Sequence, residues 1–249
     1  MIQFLEELSL NAYPALNTVH YDGWLLRFAD GYTRRVNSVQ LLYPSTLPLD
    51  EKIAYCESLY TGHGLRTVFK LTGAHHPPDL EEALIAHGYD YDCLTQVQTA
   101  SLDHVPDPGG TAWAALDGFL TPVWLEDFAR LRALNDVDRE IFTRLQMNIM
   151  PKAGYARLLV DGETAAVAMG VVERGWLGVF DVMTAAHLRR RGYARQVMLH
   201  LLHWGIAQGA RNAYLQVMAD NTPALGLYAG LGFIRVYDYW YRQKTPSNP

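Results

Sequence analysis

Apolar residues recur at helical spacing through two stretches of the C-terminal half. Between 122 and 133 these are Trp124, Phe128 and Leu131; between 136 and 149, Ile141, Leu145 and Ile149 fall four apart, and both stretches predict helices. The runs 156–160, 164–172 and 176–184 read as strands, parted by Asp161-Gly162, a strong hairpin dipeptide, and by Arg174-Gly175. A third helix then runs to about Gly209. Ala194, Val197, Met198, Leu201, Leu202 and Gly205 line one of its faces, and Gln196, His200 and His203 fall on the other, where exposure is expected. A strand at 213–218, a short helix at 223–230 and a strand at 234–243 complete the order.

The N-terminal half predicts strands at 24–28 and 36–42, a helix at 49–60, a strand at 66–71, a helix at 80–86 and a strand at 95–101. A break follows at Asp103-His104-Val105-Pro106-Asp107-Pro108-Gly109-Gly110, where prolines and glycines interrupt regular structure. The expected division is therefore 1–102, a linker at 103–112 and 113–249. Residues 77–89 can be laid on 221–233 without a gap, which sets Gly88-Tyr89 on Gly232-Phe233. This reads as a degenerate internal repeat, the alternative being an unrelated α/β domain with chance similarity.

Composition narrows the class. Hydrophobic residues make up 49% of 249, enough to fill a core. A net charge of −5 argues against a general nucleic-acid binder. Two cysteines, Cys56 and Cys93, lie outside any metal-ligand spacing, so a cytoplasmic chain with free thiols is expected. The first sixteen residues carry Glu6 and Glu7 and no basic start, unlike a signal peptide, and no apolar run approaches the roughly 20 residues of a membrane span.

The stretch richest in chemistry is Arg189-Arg190-Arg191-Gly192-Tyr193-Ala194, between a predicted strand and the start of a helix. First-turn N–H groups of a helix have no intrahelical partner, and the macrodipole there favours negative charge. Gly192 and Ala194 leave room for a diphosphate near the backbone. The three arginines and Arg195 add charge, although a basic run can also be simply solvated.

The pattern Arg-x-x-Gly-x-Ala resembles the acyl-coenzyme A signature of the GNAT N-acetyltransferase superfamily. The segment Leu215-Gln216-Val217-Met218-Ala219-Asp220-Asn221-Thr222-Pro223-Ala224-Leu225-Gly226-Leu227-Tyr228-Ala229-Gly230-Leu231-Gly232-Phe233 is similar to that family's second block, and the resemblance covers about 109–244. It implies an α/β GNAT fold, two GNAT-like halves in tandem built on mixed, mostly antiparallel sheets, and acetyl transfer from acetyl-CoA to a primary amine by direct attack, with no metal. The loop 189–194 would hold the phosphates. Val182, Met183 and Thr184, on a strand that splays from its neighbour, would offer backbone groups to the pantetheine arm. Tyr228 matches the tyrosine that can protonate the departing thiolate, and Asn221 would cap the following helix and touch the coenzyme.

The base is open. Asp181 lies on the strand beside the expected thioester and could be the base or a structural carboxylate; Glu173, near a turn, reads more simply as solvated, and water could serve. His75-His76 sit in a Pro-flanked loop without further ligand spacing, so a solvated loop outweighs a metal there. Tyr237, Tyr239, Trp240 and Tyr241 should set one face in the core and could turn the other to the acceptor. The N-terminal counterpart of the basic loop, 42–48, has two prolines and no arginine or glycine, and Leu84 stands opposite Tyr228, so no coenzyme is expected there. A small-molecule or peptide amine is the expected acceptor. The chain would act as a monomer of two halves, or a homodimer, without nucleic acid or membrane. A non-catalytic acyl-CoA-binding module, and a transferase of another acyl group, are the rival readings.

Overall fold

The computed structural model describes residues 1–110 and 112–245, and of Trp113 only the backbone. Thr111 of the expected linker, and 246–249 at the end of the expected second domain, lie outside the described residues. The elements in chain order are α1 (Ile2–Ala12), β1 (Asn17–Tyr21), β2 (Trp24–Phe28), β3 (Val39–Gln40), α2 (Leu49–Gly62), β4 (Thr67–Thr72), α3 (Leu80–Ala86) and β5 (Asp90–Ser101). Then follow β6 (Trp113–Asp117), α4 (Pro122–Arg132), α5 (Asp136–Met147), β7 (Lys152–Val160), β8 (Glu163–Glu173), β9 (Trp176–Thr184), α6 (Tyr193–Ala207), β10 (Asn212–Met218), α7 (Thr222–Ala229) and β11 (Ile234–Lys244). The class is α/β, as expected.

Two compact units form, and the first is built from two separate stretches of chain. The first is Met1–Gln96 together with the chain from Tyr237; the second is Val97–Val236. They depart from the contiguous 1–102 and 113–249 of the sequence reading because a strand near the end of each half belongs to the other unit. In the first unit the strand order is β1-β2-β3-β4-β11. β1–β2 and β2–β3 are antiparallel, β3–β4 is parallel, and β11 lies antiparallel to β4 from Tyr239↔Thr72 to Lys244↔Thr67. In the second unit the order is β5-β10-β9-β8-β7-β6, with residues 97–101 of β5 supplying the edge. β6 to β9 form an antiparallel meander, and β9–β10 is parallel.

In the second unit α6 covers one sheet face and α4 packs on β7, β8 and β9. α6 buries Val197, Met198, Leu199, Leu201, Leu202 and Gly205, a wider stripe than its periodicity suggests. Glycines let it come close. A Cβ on Gly154 would stand 2.7 Å from the Trp204 ring, and one on Gly205 would stand 2.7 Å from Leu177. His200 and His203 are half-buried rather than exposed. Burial lowers the pKa of His200, and His203 Nε2 lies 3.0 Å from the Pro106 carbonyl. Residues 103–110 therefore run along this unit, with Val105 packed on its core, instead of spanning a gap. The opposite face carries Tyr155, Met169, Phe180 and Tyr214 under an aromatic cluster of Trp124, Phe128 and Phe142.

The first unit has one apolar and one polar sheet face. Trp24, Leu26, Phe69 and Leu71 pack with Ile53, Tyr60, Leu80 and Leu84. Toward α1, buried Glu6 pairs with Lys70 and accepts from the Tyr237 hydroxyl at 2.8 Å, while the Lys70 ammonium lies 3.9 Å from the Tyr239 ring centre. β11 is also tied to the helices, Trp240 and Arg242 to Glu81 and Lys244 to Glu57. Tyr237, Tyr239 and Tyr241 are buried, the core face expected of the aromatic run, and on its other face Trp240 packs on this unit's apolar core and donates to Glu81.

The loop before α2 carries an internal anion. The Asp22 carboxylate accepts from the N–H groups of Thr46 and Leu47 at 2.8 and 2.9 Å, and meets the fully buried Lys52 ammonium at 3.0 Å. The Leu47 N–H, then Lys52 and Thr46, hold its pKa well below the usual carboxylate range. A depressed folded pKa adds stability above the unfolded value of about 3.9 and loses it as pH falls through the folded value. Asp22→Asn should therefore lower the melting temperature at pH 7, with the gap to wild type narrowing below about pH 4; an equal gap at pH 7 and pH 2.5 would show that the charge does nothing.

Gly178→Ala tests the packing near the sheet centre. Its Cβ would lie 2.6 Å from the Tyr214 hydroxyl and 2.7 Å from the Phe180 ring. Both rings are buried, so a loss of about 1–3 kcal/mol in urea unfolding is expected; a loss within about 0.3 kcal/mol would mean the rings yield freely.

Candidate active site

The parallel ladder between β9 and β10 runs from Asn212↔Trp176 to Leu215↔Val179 and stops there. Both strands continue, β9 to Thr184 and β10 to Met218. On its other edge β9 stays paired with β8, Met183 opposite Val167 and Thr184 opposite Ala166. Between those pairs the register shifts, and Asp181 takes a left-handed φ of +52°. One extra residue on β9 faces Ala168, which bends the strand and increases its twist. The first half of β9 is buried, whereas Asp181, Val182, Met183 and Thr184 are half-exposed. The ladder with β10 thus ends before Val182, Met183 and Thr184 are reached.

A short 3-10 turn, Ala186–Leu188, leads from β9 to the basic loop, where Arg190 has φ +65° and Gly192 φ +84°. Gly192 is the N-cap of α6, and no side chain caps this helix. The neighbours differ: Thr121 caps α4, Asn135 caps α5 and Asn221 caps α7, interactions worth about 1 kcal/mol each. No atom lies within 4 Å of a Cβ built on Gly192, so the cradle opens to solvent. Arg189, Arg190, Arg191 and Arg195 are exposed, and among the described residues no carboxylate engages them. Tyr193 packs its ring on Leu188 and the core, fixing the loop, and leaves its N–H at the helix start. A cavity of about 570 Å³ flanks the loop, with Arg191, Tyr193 and Gln196 on its wall.

Across the splay, Asn221 uses its side-chain oxygen to accept from the Ala224 N–H at 3.3 Å. Tyr228 is buried against Phe233, with ring centres 6.1 Å apart. Its hydroxyl has no hydrogen-bond partner among the described residues, and burial pushes its pKa up to about 12. A phenol in that state remains a proton donor across the physiological range.

Asp181 follows Phe180, which lies two strands from Tyr155 in register. Burial, and then the charge of Asp181, push the Tyr155 phenol up to about 12. Tyr155 donates to the Gln146 side-chain oxygen at 3.2 Å. The Gln146 amide nitrogen is buried and has no partner among the described residues, a state that costs about 1–3 kcal/mol. Neither Gln146 nor Tyr155 stands out in the sequence, because both fit an ordinary amphipathic helix and strand. Glu173 pairs with Trp176 at the far end of β8, about 23 Å along the strand from Ala166 at roughly 3.3 Å per residue. It stands outside this constellation. His75 turns its Nδ1 to the Thr72 carbonyl at 2.6 Å.

Known proteins carry the same features. Residues 1–242 match the family described as "Probable histone acetyltransferase Rv0428c C-terminal". The uncharacterized N-acetyltransferase YobR of Bacillus subtilis is 25% identical over 247 residues, 98% of each chain. A GCN5-related N-acetyltransferase from Kribbella flavida superposes with a TM-score of 0.74 at 15% identity, over 98% of this chain and 96% of that one. A tandem GNAT protein from the clavulanic acid biosynthesis pathway gives 0.64 at 16% identity, over 80% and 70%. At these identities the structural likeness carries the fold. The family match carries membership: the chain belongs to the Rv0428c C-terminal acetyltransferase family and is an acyltransferase of the GNAT type.

Proposed function

We propose that the chain transfers an acetyl group from acetyl-CoA to a primary amine by direct attack, using one site in its second unit. The observation that carries this reading is the conjunction of an uncapped, glycine-started helix, four unengaged arginines and two parallel strands that part beside it. The α6 N–H groups and Arg189 to Arg191 would bind the diphosphate. The edge of Val182, Met183 and Thr184 facing the splay would receive the pantetheine amides, and one N–H there could polarise the thioester carbonyl. Acetyl-CoA supplies the activated acyl group; the protein supplies binding, alignment and proton handling. Asp181 would accept the proton of the amine, and Tyr228 would donate to the departing sulfur.

Magnitudes refine the role of Tyr228. A free thiol has a pKa of about 8.5, well below the Tyr228 phenol. Full proton transfer to the thiolate is therefore uphill, and a hydrogen bond that strengthens as charge develops is the contribution to expect. The antiparallel, antiparallel, parallel sequence of joins recurs in both units, which supports two GNAT-like halves in tandem. The first half would bind no coenzyme, because Asp22 already fills the corresponding anion position. A cytoplasmic setting and a small-molecule or peptide acceptor complete the proposal; among the described residues no helix is long and apolar enough to cross a membrane.

The direct test is coenzyme A release from acetyl-CoA with a panel of primary amines: an aliphatic polyamine, an arylethylamine, an amino acid, an aminoglycoside and a lysine peptide, with mass detection of the product. An acetylated amine supports the reading; stoichiometric binding of acetyl-CoA without turnover on any panel amine supports the binding-module rival. Gly192→Asp, which sets a carboxylate into the open cradle, should weaken acetyl-CoA binding about 100-fold or more by calorimetry, the scale of losing charge-assisted bonds. Unchanged affinity in the folded variant would remove the loop from the site. Tyr228→Phe should leave acetyl-CoA affinity nearly intact and lower turnover about 10–1,000-fold; turnover within about twofold of wild type, with chemistry rate-limiting, would take Tyr228 out of the mechanism.

A further inference from the structure

The cavity of about 570 Å³ beside the basic loop lies on the flank away from the splay. Sheet order shows which flank that is. β10 borders β9 on one side, whereas the cavity wall takes Leu159 and Val160 from the end of β7 and the turn at 161–162, two strands from β9 on the other side. α6 contributes Tyr193 and Gln196, three residues apart and so neighbours on one helix face, and Arg191 comes from the loop. The volume falls within the range of small-molecule sites, about 300–1,000 Å³.

The wall is graded in charge. Toward the loop it offers the Arg191 guanidinium, and toward the hairpin turn the Asp161 carboxylate, both exposed. A phosphate is drawn to the first and disfavoured at the second, where neutral N–H or O–H donors fit better. Leu159, Val160 and Tyr193 line the space with apolar surface suited to a flat body. Gln196 adds the remaining polarity. It is half-buried, and its Oε1 is shut off from water with no partner among the described residues. A bare buried oxygen costs free energy, so the protein's own groups do not hold this amide in place. When it turns to the cavity, it offers one donor and one acceptor side by side.

We propose that this cavity seats the adenine of acetyl-CoA and that Gln196 reads the base edge. The inference deepens the proposed function and rests on the diphosphate lying at 189–194. With the pantetheine arm at the splay on one flank, the nucleoside leaves the diphosphate on the other, past Arg191 and Tyr193. Gln196 would accept from the adenine N6 amino group and donate to N7, the pairing by which a glutamine amide selects adenine.

Calorimetry with acetyl-CoA and its hypoxanthine analogue, in which an oxygen replaces the N6 amino group, tests this without turnover. Wild type should bind acetyl-CoA about tenfold tighter than the analogue. Gln196→Ala should weaken acetyl-CoA binding about tenfold, leave the analogue nearly unchanged and so erase the preference. Gln196→Met, close to glutamine in shape, should do the same and serves if Gln196→Ala folds poorly. An equal loss on both ligands would mean that Gln196 only packs, and would overturn the inference. So would a wild type that binds both ligands alike, with the loop reading left standing. A wild type that binds neither would overturn the loop reading itself, and this inference with it.

Discussion

The separation of β9 from β10 is the constraint on which the site depends. Parallel strands normally stay paired, since each unmade ladder bond in a dry sheet costs free energy. Here the ladder ends after Leu215↔Val179, with five residues of β9 and three of β10 still to run. The bulge opposite Ala168 gives the cause. It keeps β9 attached to β8 while turning it away from β10, and it requires a residue that tolerates a left-handed backbone. Aspartate tolerates that conformation better than most. In the proposed function the residue that makes the bend would also be the base, so that geometry and chemistry would be set at one position.

Edges come from exchanged strands. In the first unit β11 completes the sheet beside β4 and is held by Glu81, Glu57 and Glu6; in the second, residues 97–101 complete it beside β10. Glu6, Lys70 and Tyr237 form a buried polar group at that seat, joining α1, β4 and β11. Such a group is demanding about geometry, because losing any one partner strands the others in a dry environment. It favours the last strand of the chain over any other apolar strand as the occupant.

Local signals made most of the elements legible, and the rest lay beyond them. The helix at 80–86 and the strands at 24–28 and 176–184 fall where the sequence sets them, because turn residues flank strongly periodic runs. The strand expected at 36–42 shrinks to Val39–Gln40. The Asn37 side chain accepts from the N–H groups of Ala29 and Gly31 and donates to the Thr33 carbonyl, so a turn replaces the extended chain. The helix Ile2–Ala12 escaped notice, though Leu5, Leu8 and Ala12 sit on one buried face. β1 and β6 are short and only partly covered, which blurs their alternation. The exchange of strands had no local signature, since pairing partners are chosen by tertiary contacts. In the candidate site the glycine, the arginines, Asn221 and Tyr228 stood out by motif and Asp181 by its place on the strand, whereas the bulge at Asp181 and the Tyr155–Gln146 hydrogen bond could emerge only from tertiary packing.

The two loop–helix junctions show how one physical problem takes opposite solutions. N–H groups at and before a helix start need an acceptor. Ahead of α2 the chain supplies it from within: the Asp22 carboxylate takes two of them and the Lys52 ammonium as well. That site is neutralised and closed, and a phosphate arriving there would meet a carboxylate already bonded in its place. Ahead of α6 no side chain answers, and the nearest charges are guanidinium groups without carboxylates among the described residues. The exposed guanidinium groups and the first N–H groups of α6 are left to water. In the proposed function an anion from outside would replace that water, the role that Asp22 fills from within ahead of α2.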